Sequence, residues 1–119
     1  FYIKSKLVGY TLLRKRTCKI ENLNKKTQYL LLDTLVIDKK YRNTKLSNLL
    51  MNFNNTIIKQ SGISSFLICK DELINFYMKN DWKKLNKKSF IIADYAFSSN
   101  GMIFNKLNFD KKYIFYIKK

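Results

Sequence analysis

A mixed α/β architecture of the α+β type is expected from this chain: one mostly antiparallel sheet with a central βαβ unit, and two helices. Three features lead there. Between residues 30 and 69 the pattern runs strand, polar turn, helix, strand. Strand-forming runs separated by turn residues fill the two ends of the chain. No proline, repeat or low-complexity stretch divides the 119 residues, a length that supports one core and one domain.

Taken in order, residues 1–5 and 6–13 read as two strands joined by a tight turn near residues 4–6. Residues 14–26 are basic and polar, and read as the end of the second strand followed by a loop. Leu30, Leu31 and Leu32 then lead through Asp33 into Thr34, Leu35, Val36 and Ile37, a buried strand interrupted by one acid. Residues 38–45 turn polar and basic. From there Leu46, Leu49, Leu50, Phe53 and Ile57 fall on one face at helical spacing, predicting a helix over 44–60 that buries them. Asn43 or Thr44 can cap its start, and Ser61-Gly62 its end. Residues 63–69 form a short strand, parallel to the first because a helix connects them. A shorter helix follows over 71–79, with Asp71 and Glu72 in its first turn, where the dipole favours acids. Trp82 opens the next strand. Residues 90–97, 102–107 and 112–117 then complete an antiparallel tail.

Composition narrows the function. Hydrophobic residues make up 46% of the chain, with nine Phe, eight Tyr and one Trp, so a folded domain is expected despite a net charge of +16. That charge comes almost wholly from lysine; Arg14, Arg16 and Arg42 are the arginines. Lysine with abundant Asn and Ile is the usage of AT-rich coding, which weakens the charge as a sign of nucleic-acid binding. The chain has no His, which excludes Ser-His-Asp, Cys-His and metal-His chemistry within it. Cys18 and Cys69 are too few for a disulfide framework or zinc site, and no metal site is expected. Reduced thiols fit a cytoplasmic protein. Asp33 breaks the longest apolar run well short of the ~18 residues that span a membrane.

The turn at residues 38–45 carries its own chemistry. The first turn of a helix presents unpartnered N–H groups and about half a positive charge, a ready place for a phosphate. Lys39, Lys40, Arg42 and Lys45 crowd it. The plainer alternative is a solvated basic connection. Leu35, Ile37, Arg42, Lys45, Leu46, Ser47, Leu49 and Leu50 resemble the cofactor-binding motif of the GNAT N-acetyltransferases, in which a strand ends in Arg/Gln-x-x-Gly-x-Gly/Ala and opens a helix. Asn43, Lys45 and Ser47 replace residues that are usually Gly, Gly, and Gly or Ala. Phe76, Tyr77, Asn80, Asp81 and Trp82 resemble a second family signature, a helix ending in Leu/Phe-Tyr before Gly-Phe or Gly-Trp. Here Asp81 replaces the Gly, and Lys70 stands where Asn is common. The run Leu7-Val8-Gly9-Tyr10 is similar to the second strand of the family's hairpin.

The resemblance implies a GNAT-like sheet over residues 1–119, a single acetyltransferase-like domain that lacks the strand and helices preceding this point in the family. It implies acetyl-CoA as co-substrate and an amine-bearing acceptor, a small molecule or a protein. It places the cofactor on Leu35, Val36, Ile37, Arg42, Asn43, Thr44, Lys45, Leu46 and Ser47, and makes Tyr77 the acid that protonates the departing sulfur. The residues themselves suggest Asp33 as base, because burial in an apolar strand would raise its pKa. Two alternatives stand beside this reading: a GNAT-fold protein that is inactive or binds CoA weakly, motivated by Lys45, Ser47 and Asp81, and a basic nucleic-acid-binding module. The latter lacks RNP-like aromatics, helix-turn-helix pattern and zinc spacing.

Overall fold

Two twelve-residue strands form the spine of the molecule. In the computed structural model, which describes residues 2–3, 6–7, 9–37, 45–95, 100–105 and 111–118, β3 (Gly9–Ile20) pairs antiparallel with β4 (Lys26–Ile37) along almost its whole length. A small separate hairpin, β1 (Tyr2–Ile3) with β2 (Lys6–Leu7), precedes them; of the second strand expected over 6–13, the residues from Gly9 onward belong instead to β3 and pair with β4. The basic stretch 14–26, expected to be the end of a strand followed by a loop, is strand through Ile20 and again from Lys26. Cys18, Ile20 and Tyr29 face a core while Lys19 and Lys26 alternate with them, so half of each strand is apolar where it counts. Only residues 21–25 connect the strands, with Asn22 in the left-handed region at φ 72°.

Helix α1 (Lys45–Ser61) then leads to β5 (Ser65–Cys69), parallel to β4 as expected. Gly62 ends the helix at φ 73°, its N–H donating to the Lys59 carbonyl at 3.2 Å. A single 3₁₀ turn (Asp71–Leu73) opens α2 (Ile74–Lys79), and β6 (Lys83–Leu85), β7 (Phe90–Ile92), β8 (Asn100–Phe104) and β9 (Tyr113–Phe115) complete the chain. The seven-stranded sheet has the order β6-β8-β5-β4-β3-β9-β7, with β4/β5 and β7/β9 parallel and the other pairs antiparallel.

Two expectations about the end of the chain are corrected. The run 90–97 is a strand only through Ile92 and bends at residues 93–95; residues 96–99 lie outside the described ones. β8 and β9 are not neighbours: β8 lies between β5 and β6, and β9 between β3 and β7. All five residues of β8 are buried, which suits an inner strand.

The strand order also shows that the sheet curls. β6 and β7 stand at its opposite edges, which in a flat sheet lie about 29 Å apart at about 4.8 Å per strand. Only residues 86–89 join them, a link that reaches about 17 Å at most. The edges therefore approach one another around an aromatic core of Tyr29, Phe66, Phe90, Tyr113 and Phe115, with Phe66 and Phe115 stacked at 3.9 Å. Gly101 makes the approach possible. A Cβ there would lie 2.7 Å from Cζ of Phe90 and 2.8 Å from Cε1 of Phe66.

The outer face of the sheet carries α1 and α2 over a second core that includes Leu30, Leu32, Met51, Ile58, Tyr77 and Trp82. Here the expected buried face of α1 is corrected. The helix buries Leu50, Met51, Asn54, Asn55 and Ile58, whereas Leu49, Phe53 and Ile57 remain 55%, 47% and 36% exposed. Hydrogen bonding sets this rotation. Asn55 donates to the Asn80 carbonyl at 2.7 Å and accepts from Trp82 Nε1 at 2.9 Å, bonds available only when its amide points inward.

Candidate functional site

The central irregularity of the sheet lies in β4. On one side β4 follows β3 to its end, but on the other it pairs with β5 only at Leu30↔Ser65 and Leu31↔Phe66. The β3 register jumps from Leu12↔Thr34 to Leu13↔Leu32, which leaves Asp33 as the extra residue of a β-bulge. Leu32 and Leu35 consequently both pack on the helix side, three residues apart, a spacing that regular alternation forbids. The bulge turns β4 aside from β5. Beyond Leu31, no ladder pairing joins the two strands among the described residues, so β4 offers backbone N–H and C=O groups along an opening in the middle of the sheet.

The predicted residues distribute around this opening. Leu35 is half-buried against the helix-side core, Val36 is exposed, and Ile37 ends β4 with its backbone opposite Gly9. Lys45, Leu46 and Ser47 open α1, exposed at Lys45 and half-buried after it, in a first turn that holds no acid. Arg42, Asn43 and Thr44 lie outside the described residues.

Tyr77 faces the helix-side core from α2, buried to 7% exposure against Phe76 and Trp82. Burial pushes its hydroxyl up to about 12, and the neighbouring Cys69 thiol at the end of β5 adds to the rise. Tyr77 is a proton-bearing donor at neutral pH. Cys69 is itself raised by burial and then by the charge of Asp71, with Lys84 opposing, so it is an unionised thiol. Both cysteines are free and buried.

Asp33 departs from expectation. Its side chain is 41% exposed, not buried, and accepts a hydrogen bond from Arg14 Nε at 2.7 Å. The bulge explains this, because it lifts Asp33 out of the apolar alternation that covers its neighbours. Asp33 lines a cavity of about 310 Å³ on the aromatic-core side of the sheet, together with Leu31, Leu32, Ile68, Tyr95, Ile117 and Lys118. Tyr77 belongs to the helix-side core, whereas Asp33 lines the cavity on the other face of the sheet.

Sequence reasoning missed the residues that hold Tyr77 in place. Asn80 donates to the Phe76 carbonyl at 2.9 Å and to Asn48 Oδ1 at 3.3 Å, while the Tyr77 carbonyl accepts from the N–H groups of Asn80 and Trp82. Together with Asn55 these bonds tie the end of α2 to α1. Asp81 sits between them at φ 72°, the left-handed conformation that Gly adopts most readily and Asp tolerates. Asp81 therefore holds a turn that a glycine would enter more readily. The adjacent Asn54-Asn55 pair inside an apolar helix was the available signal.

No family model matches the chain, and no curated protein matches it. Solved structures do. The GNAT family N-acetyltransferase YhbS from Escherichia coli, in complex with CoA, superposes with a TM-score of 0.68 at 14% identity over 95% of this chain and 61% of its own. The Bacillus subtilis N-acetyltransferase YlbP, in complex with coenzyme A, gives 0.62 at 16% identity over 93% and 66%. The PaiA N-acetyltransferase from Thermoplasma acidophilum, in complex with coenzyme A, gives 0.60 at 22% over 88% and 57%. At these identities the likeness is one of fold, and the chain spans less than two thirds of each of these proteins.

Proposed function

We propose, starting from the GNAT fold that the chain shares with these acetyltransferases, that it transfers an acetyl group from acetyl-CoA to an amine. The observation that carries this is the opening between β4 and β5 at the Asp33 bulge, with a buried tyrosine on one face and a carboxylate on the other. The residues fit the co-substrate. The β4 edge beyond Leu31 offers its amides as a sheet edge does, which suits a chain that carries amide groups of its own. The acid-free start of a seventeen-residue helix suits a pyrophosphate, with Lys45, Leu46 and Ser47 there and Arg42, Asn43 and Thr44 ahead of it. Leu35, Val36 and Ile37 supply the strand side.

Acetyl-CoA provides a thioester whose carbonyl carbon the free amine attacks, so that the C–N bond forms as the C–S bond breaks. Tyr77 has the proton that the leaving sulfur needs, and burial keeps it there across neutral pH. Asp33 would be the base only by giving up its 2.7 Å bond from Arg14 Nε as it takes the proton that the amine must lose, directly or through water. Positioning by the β4 edge supplies much of the remaining barrier reduction.

Calorimetric titration with acetyl-CoA, with desulfo-CoA and ATP as controls, tests the binding half. Transfer by Tyr77→Phe tests the chemistry. The expected result is saturable binding that prefers acetyl-CoA, and an acetyl-transfer rate lowered on the order of 10²-fold in the variant with affinity unchanged. Equal rates would remove Tyr77 from the reaction. No binding at millimolar acetyl-CoA would favour a GNAT-fold domain whose helix start, with Lys45 and Ser47 in place of glycines, no longer takes the cofactor.

A further inference from the structure

The hydroxyl used in the proposed reaction sits on a helix too short to place itself. α2 has six residues, where an isolated helix needs about 12–15 to hold together in water, so the position of Tyr77 is set by what fastens the two ends of α2. The C-terminal end is tied to α1: Asn80 donates to Asn48 Oδ1, and Asn55 donates to the Asn80 carbonyl and accepts from Trp82. The N-terminal end is held differently. Lys70 and Leu73, which precede its 3₁₀ and α-helical turns, make no side-chain cap bond.

The tie at that end comes from the sheet. Asn100 is the first residue of β8 and the register partner of Cys69, the last residue of β5, so its amide stands where β5 leaves the sheet for α2. Asn100 Nδ2 donates to Asp71 Oδ1 at 2.6 Å and lies 3.4 Å from the Cys69 carbonyl oxygen, and so reaches both sides of the junction. Asp71 carries the turn onward. Its backbone carbonyl accepts from the Ile74 N–H at the start of α2, while the Leu73 N–H donates to the Lys70 carbonyl at 3.0 Å.

Asn100 is not a residue that packing alone would select. It is 2% exposed on a strand whose other members are Gly101, Met102, Ile103 and Phe104. A buried amide gives up its bonds to water, a cost that an apolar residue at this position avoids, and its bonds go to the β5–α2 junction. The shorter of them is charge-assisted, the stronger class. The junction also adjoins the tyrosine: Cys69 and Tyr77 share the helix-side core, and the Cys69 thiol helps to raise the Tyr77 hydroxyl.

Resting on the transferase reading above, we infer that Asn100 is a positioning residue for Tyr77: by holding Asp71 to the end of β5 it fixes the start of α2, and with it the direction in which the Tyr77 hydroxyl meets the leaving sulfur. Asn100 touches neither co-substrate nor acceptor. Its effect on rate passes through Tyr77.

The test uses the full chain. Asp71→Ala removes the acceptor at an exposed residue, Asn100→Asp sets two carboxylates against each other, and Asn100→Asp with Asp71→Asn exchanges donor and acceptor. CoA release from acetyl-CoA is followed with phenethylamine or a lysine-bearing peptide as acceptor, beside acetyl-CoA affinity by calorimetry and the Tyr77 ring signals by NMR. Asp71→Ala and Asn100→Asp should each lower kcat about tenfold with acetyl-CoA affinity within about twofold. The exchange should recover the rate to within about threefold of wild type. The rate of Asn100→Asp relative to wild type should rise as pH falls from about 8 to about 5, because one proton shared by the two carboxylates restores the bond. Taking the ratio cancels protonation of the acceptor amine. On a Tyr77→Phe background, Asp71→Ala should cost less than about twofold.

A full rate in Asp71→Ala, or a tenfold loss that persists on the Tyr77→Phe background, overturns the positioning role and leaves the transferase reading standing. If circular dichroism shows that Asn100→Asp does not fold, Asp71→Ala and the exchange carry the comparison. Wild type that releases no CoA refutes the transferase reading, and the ring signals then decide the placement by themselves. Tyr77 signals displaced in Asp71→Ala and kept in the exchange support it; signals unmoved in Asp71→Ala overturn it.

Discussion

Adding one methyl group at Gly101 tests the curl of the sheet. The new Cβ of Gly101→Ala would lie 2.7 and 2.9 Å from Cζ and Cε1 of Phe90 and 2.8 Å from Cε1 of Phe66, where ordinary contact begins near 3.4 Å. Neither ring has an easy retreat. Phe66 stacks on Phe115 at 3.9 Å, and Phe90 meets Phe66 edge-on at 5.5 Å within the closed aromatic core. Overpacking of this kind costs about 1–3 kcal/mol. At about 2.1 cal/mol/K per residue, a 119-residue chain loses roughly 4 °C of Tm per kcal/mol, so a fall of about 4–12 °C is expected by circular dichroism. Phe90→Leu removes the ring edge that the methyl strikes. The double variant should then cost less than the sum of the single ones by about 1 kcal/mol or more in urea unfolding. Additive costs would mean that Phe90 does not rest on Gly101, and the closure of the sheet around that core would be wrong.

Two further outcomes follow from buried and clamped polar groups. Asn54 is fully buried on α1, its amide nitrogen 3.7 Å from Met51 Sδ and its Oδ1 without a partner among the described residues, so Asn54→Leu should stabilise the protein by about 1–3 kcal/mol in chemical denaturation. A loss of stability would mean that Oδ1 holds a water or another partner. Asp94 is pulled up by partial burial but held lower overall by the N–H groups of Ile117 and Lys118, which favour its ionised form. A depressed carboxylate stabilises the fold above its unfolded value of about 3.9 and loses that contribution as pH falls through the folded value. The stability gap between wild type and Asp94→Asn, present at pH 7, should therefore close in acid; a gap independent of pH would show that charge is not what holds the clamp.

Much of the fold was legible because it depends on neighbours in the chain. Helix α1 stops at Gly62, β5 follows it in parallel, and Trp82 comes directly after the Asn80-Asp81 turn, all set by periodicity and turn chemistry within a few residues. The strands at residues 14–20 and 26–29 were hidden by their charge, since lysine on the solvent side of a strand resembles loop until the apolar side is seen to meet a core. Asp33 looked buried because its neighbours are apolar, and a one-residue bulge, set by its pairing with β3, put it at the surface. The inward face of α1 was chosen by Asn55, whose partners lie twenty-five and twenty-seven residues away.

The sequence by itself determined the βαβ unit, the two helices and the identity of Tyr77 as the hydroxyl on the second of them, because local propensity and capping act over a turn or two. Tertiary structure alone decided the curl that joins β6 to β7, the separation of β8 from β9 by β5, β4 and β3, and the meeting of Asp33, Ile68, Tyr95 and Lys118 at one cavity. Those arrangements depend on which distant surfaces exclude water together. Phe90 over Gly101 and Asp94 across the last strand are contacts between segments that no local period brings into register.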